Sequence, residues 1–110
     1  MPAYFRVTYD VVTPESAENG DYADSGFAAP GGWKFAADDP GPHEMTLREA
    51  LDTCGMHGGG GFEDSGRWFS TVDPDVNYST GEDTRYSIHP PRNITPASYA
   101  RLRRYLTGRK

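Results

Sequence analysis

Residues 4–12, "YFRVTYDVV", alternate along their length: Phe5, Val7, Tyr9 and Val11 fall on one side, with Tyr4, Arg6, Thr8 and Asp10 on the other. Alternation of this kind belongs to a strand with one buried face, so the chain must build a sheet and a layer to cover it. Pro14 ends the strand. At 110 residues there is room for a single domain, residues 1–110, with a modest core. Only 35% of residues are apolar, and 13 glycines with 9 prolines require much turn and irregular chain. Aromatic residues, Trp33 and Trp68 among them, nevertheless argue for a folded domain.

Two helices announce themselves by their caps. In "MTLREALDTCG", Thr46 stands three residues before Glu49, the spacing of a capping box, and Leu47, Ala50, Leu51 and Cys54 share one face. Gly55 follows where a left-handed cap is needed. In "NITPASYARLRRYL", Thr95 is the cap, Pro96 takes the first helical position and Ile94 can staple onto Tyr99. Tyr99, Leu102 and Leu106 form the apolar stripe of this second helix.

Between the helices, "RWFSTV" (67–72) and "TRYSIH" (84–89) read as two strands joined by the long hairpin loop "DPDVNYSTGED", and Pro90 and Pro91 end the second strand. Residues 15–41 read as a long acidic, Gly/Ala-rich loop pinned by Tyr22, Phe27, Trp33 and Phe35, with an additional short strand around 32–35. The expected fold is α+β, a small antiparallel sheet of about three strands with two helices. Its order is strand, long loop, helix, strand, strand, helix. There is no internal repeat.

Several chemical signatures can be weighed against this layout. Cys54 precedes His57 and the glycines 58–61, but it sits at a helix C-terminus, where the dipole disfavours a thiolate. Phosphate loops precede a helix, whereas these glycines follow one, and no GK[ST] is present. Cys54 therefore reads as structural. Asp73, Asp75, Asn77 and Ser79 begin like a calcium loop, yet Tyr78 stands where glycine is required and Thr84 where glutamate is required. His43, His57 and His89 lack zinc-ligand spacing, and no GxSxG elbow occurs. Neither a metal site nor a cofactor is expected.

Charge is more informative. The net charge is −5, but residues 101–110 carry five positive charges and no negative one, leaving six basic against sixteen acidic residues, a net of −10, in the first hundred. Glu15, Glu18, Asp21 and Asp24 recur at three-residue intervals around Tyr22, with Asp38, Asp39 and Glu44 farther along. Such a run is either plain solvated surface or a negative patch that docks on the basic surface of a protein or nucleoprotein, including one meant for nucleic acid. Arg101, Arg103, Arg104, Arg109 and Lys110 raise the opposite hypothesis, direct phosphate contact, although they also complement a helix dipole and the acidic body repels a duplex. Direct nucleic-acid binding is the lesser expectation, and no helix-turn-helix or other named module accompanies it. An unrecognised enzyme is the third reading.

No apolar run approaches a membrane span of roughly 18 residues, and the N-terminus lacks the pattern of a signal peptide. The lone Cys54 fits a reducing compartment, so a cytoplasmic protein is expected. Finally, "YFRVTYDVVTPESAENGDYADSGF" together with "RYSIHPPRNITPASYARLRRYL" resembles small proteins of phage and prophage regions in GC-rich bacteria. The resemblance covers both ends of the chain and brings no functional motif. It implies an accessory factor in the host-cell cytoplasm, of the kind that includes inhibitors of host defence such as anti-CRISPR proteins. From charge and resemblance together, the expected function is non-enzymatic binding of a macromolecule through the acidic surface.

Overall fold

The computed structural model describes residues 4–39, 41, 43–55, 61–72 and 74–108. The alternating segment forms β1 (Arg6–Val12), followed by α1 (Pro14–Asn19), β2 (Asp24–Ala28), β3 (Lys34–Ala36), α2 (Leu47–Thr53), β4 (Phe62–Asp64), β5 (Phe69–Thr71), β6 (Asp75–Asn77), β7 (Glu82–His89) and α3 (Pro96–Thr107). All pairings are antiparallel, in the order β3-β2-β1-β7-β5-β4. Strand β7 is the longest; β1 lies along one edge, and β5 and then β6 share the other.

The class is α+β as expected, but the element count is corrected: the described residues form seven strands and three helices, not about three strands and two helices. Residues 15–41 are not a structureless loop. Thr13 caps α1, its Oγ1 accepting from the Ser16 N–H at 3.1 Å while Ser16 Oγ accepts from the Thr13 N–H at 2.8 Å. Pro14 stops β1 by starting this helix. Six residues with only Ser16 buried leave no apolar periodicity to read.

Strand β3 realises the short strand expected around 32–35, whereas β2 was missed because it is short and rich in small residues. Gly26 is obligatory there, because a Cβ would run into the carbonyl oxygen of Phe35 on β3. The supposed loop after β5 likewise contains β6, whose turn closes with the Asn77 side chain accepting from the Ser79 N–H at 3.1 Å.

The buried face follows from register. Ala28, Val7, Ile88 and Phe69 stand side by side on four adjacent strands, each fully buried. Tyr9 and Tyr86 form the next row. Ala50, Leu51 and Cys54 from the α2 end and Leu102 and Leu106 from α3 complete the same cluster. Burying each large member contributes roughly 1.5–3 kcal/mol before ordering costs. Met45 is tied to Phe5 by two backbone hydrogen bonds of 2.7 and 2.9 Å, which bring the start of α2 against β1.

Candidate functional site: an acidic end and a divided arginine helix

The four acidic residues of the 15–24 segment are all exposed and lie at the end of the sheet where β1 finishes. Glu15 and Glu18 sit on α1, directly after β1, and Asp24 opens β2 opposite Val11. Asp21 follows the left-handed Gly20 cap and donates its N–H to the Ser16 carbonyl at 3.0 Å. This cap turns the chain back toward β2.

The sheet adds carboxylates that distance in sequence concealed. Asp83 stands opposite Val12, Glu82 opposite Asn77 and Asp75 opposite Thr84, so all three are brought to the same end. The turn before β7 lies against α1, where Gly81 comes close to the Pro14 ring. Among the described residues, none of these seven carboxylates forms an ion pair. Tyr22 and Tyr78 project from the same end, 62% and 92% exposed. Pairing across β7 was the missing signal, because it joins residues 75–83 to residues 12–24.

The second acidic group splits. Asp38 follows β3 on the side where Asp24 begins β2. Asp39 turns to His43 at 3.5 Å, and Glu44 meets Arg6 at 3.9 Å near the opposite end of β1. His43 is buried and stacks on Phe35 and Phe27, with ring centroids 4.6 and 5.4 Å away.

The arginines of α3 do not gather into one surface. Arg103 is held 3.9 Å from Asp64, at the end of β4. Arg101 points to another side, its Nη2 donating to Ser98 Oγ at 3.4 Å, and lines a groove between α3 and α2. Arg104 is exposed, while Arg109 and Lys110 lie outside the described residues.

The other sequence candidates resolve simply. Cys54 caps α2, is buried, and burial pushes its thiol up to about 12. Gly55 after it has φ +74°, the left-handed conformation expected. His57 and Asp73 lie outside the described residues, and among the described residues no three His, Cys, Asp or Glu side chains gather as metal ligands.

One further surface was not foreseen. On the sheet face opposite the core, Thr8, Ser87 and Ser70 stand side by side on β1, β7 and β5, with Ser70 Oγ 3.0 Å from Ser87 Oγ. His89 Nε2 lies 2.8 Å from Thr8 Oγ1, and its ring tilts against Trp68 at 5.8 Å. Burial, and secondarily the Arg6 charge, hold His89 below its ordinary pKa, so the neutral imidazole is favoured. Strand alternation places these polar residues together once the register is known.

No protein-family model matches the chain, nor does any curated protein or solved structure. Among the described residues, no helix is long and apolar enough to cross a membrane.

Proposed function

We propose that the chain is a non-enzymatic binding protein whose acidic end docks on the basic surface of a protein or nucleoprotein. The observation that carries this reading is the convergence of Glu15, Glu18, Asp21 and Asp24 with Asp75, Glu82 and Asp83 at one end of the sheet. Like charges brought together without partners weaken the folded state, while a dense negative surface steers encounter with a positive one. Tyr22 and Tyr78, large amphipathic side chains within this field, suit the anchoring positions of an interface. With the resemblance to small phage proteins, the reading extends to an accessory factor that inhibits a host defence system from within the host cytoplasm. The basic helix is the weaker candidate, since Arg103 is engaged by Asp64 and Arg101 faces a different side.

Affinity capture from a host-cell extract treated with nuclease, with partners identified by mass spectrometry, tests the proposal. Reversing Glu15, Glu18, Asp21 and Asp24 to lysine should abolish salt-sensitive capture, whereas replacing Arg101, Arg103 and Arg104 by glutamine should change it little. Retained capture after acidic reversal, with salt-sensitive DNA or RNA binding lost in the arginine variant, would transfer the function to α3.

A further inference from the structure

The groove between α2 and α3 is independent of the acidic end and has a chemistry of its own. One hollow of about 480 Å³ is walled by Phe5, Leu47, Ile94 and Leu102, with Arg101 and Tyr105 on α3 at its side. A second hollow of about 480 Å³ adjoins it at Leu47 and Tyr105 and is lined besides by Leu51, Arg48 and Asp52 on α2, the opposite charges of the last two offsetting one another. The first is an apolar trough whose one charged lining residue, among those described, is Arg101. Small-molecule sites commonly enclose roughly 300–1,000 Å³ with mostly apolar walls and a few polar groups.

The polar groups here favour an anion. Among the described residues Arg101 has no carboxylate ion pair; its polar contact is the neutral Ser98 Oγ at 3.4 Å. Thr95, the cap of the twelve-residue α3, also lines the cavity, so the positive end of that helix dipole adds to the Arg101 charge. One guanidinium presents a planar fork that matches one carboxylate, whereas a phosphate would call for more cationic groups than this wall offers. The separate aliphatic side chains of Leu47, Ile94 and Leu102 on its floor suit a flexible hydrocarbon tail.

We propose that this trough binds a single-chain amphiphile bearing a carboxylate, with its tail along Leu47, Ile94 and Leu102 and its head group on Arg101. The inference does not depend on the acidic end being a docking surface.

Decanoate, kept below its micellar concentration, is a suitable probe for titration into the isotope-labelled full chain by nuclear magnetic resonance. Saturable shifts confined to the amides of residues 47–51 and 94–105 are expected. Arg101→Gln, at an exposed position where folding should persist, should weaken binding about tenfold. Decyltrimethylammonium and decanol report the role of the head group, and an acetylated hexapeptide ending in leucine reports a peptide carboxylate. Weaker binding of all three would support the assignment. Equal binding by the ammonium compound or the alcohol, unchanged affinity in Arg101→Gln, tighter binding of the peptide, or shifts spread over the whole surface would each overturn it.

Discussion

Tyr99 Oη donates a 2.6 Å hydrogen bond to Asp64 Oδ1, fastening the first turns of α3 to the end of β4. The same hydroxyl reaches the Gly66 carbonyl at 3.1 Å, and the Tyr99 ring stacks on Phe69 with centroids 5.1 Å apart. The apolar stripe of α3 thus ends in a polar clasp. Tyr99→Phe keeps the stacking and removes the clasp, so a loss of about 1 kcal/mol is expected in a denaturant titration.

That clasp also sets a pH dependence. The Tyr99 hydrogen bond, then the Gly66 N–H and the Arg103 charge, hold the Asp64 carboxyl below its ordinary range. A lowered folded pKa stabilises above the unfolded value, and this contribution is lost as pH falls through the lower folded value. Burial and Asp64 raise Tyr99 from 10.0 to about 12, so its contribution is present below pH 10.0 and disappears as pH climbs toward 12. Asp64→Asn should flatten the acid side of the stability profile; an unchanged acid midpoint would show that the clasp is not populated in solution.

How far the chain was readable from its residues depended on periodicity and caps. Thr46 with Glu49 and Thr95 with Pro96 marked two helix starts correctly, because a side-chain cap needs specific residues at a fixed spacing. Thr13-Pro14 carries the same signature as Thr95-Pro96, but no apolar stripe follows it, so α1 was hidden. Gly26 and Ala28 carry little side chain to betray β2. Glu15 to Asp24 were visible as charge, yet their meeting with Asp75, Glu82 and Asp83 depends on β7 pairing on both edges. The trough below Arg101 required the packing of two helices and left no pattern in either one.

The caps make a graded prediction. Thr95→Ala removes the acceptor of the Ser98 N–H and should cost about 0.5–2 kcal/mol of global stability, because α3 carries Leu102 and Leu106 into the core. Thr13→Ala should instead act locally, since α1 buries only Ser16. Denaturant midpoints combined with amide hydrogen exchange separate the two. A larger midpoint shift for Thr13→Ala than for Thr95→Ala would contradict the arrangement.

For Cys54 the expectation is inertness. With its thiol pushed up to about 12 by burial, almost none is thiolate at neutral pH. Iodoacetamide should modify the native chain far more slowly than the chain in denaturant. Equal rates would mean that the α2 C-terminus opens freely. Cys54→Ser should cost about 1–3 kcal/mol if the new hydroxyl finds no partner, while Cys54→Ala should cost less.

The acidic end makes a prediction that needs no partner. Seven carboxylates are brought to this end of the sheet without an ion pair among the described residues, so the end carries a local excess of negative charge. Neutralising one of them should relieve repulsion, in contrast to the usual small loss from a surface substitution. Asp83, paired with Val12 and Val76, has no charge directly opposite, so Asp83→Asn should raise stability through longer-range repulsion alone, by about 0.5 kcal/mol or less at low salt. The gain should shrink at high salt, since screening takes effect over about 10 Å at 0.1 M. Glu44→Gln is the control: Glu44 lies 3.9 Å from Arg6 and should lose a little stability or none. Denaturant midpoints of both variants at low and high salt give the comparison directly. If Asp83→Asn shows no salt-dependent gain over Glu44→Gln, the carboxylates do not share a field, and the acidic end loses its physical basis as a docking surface.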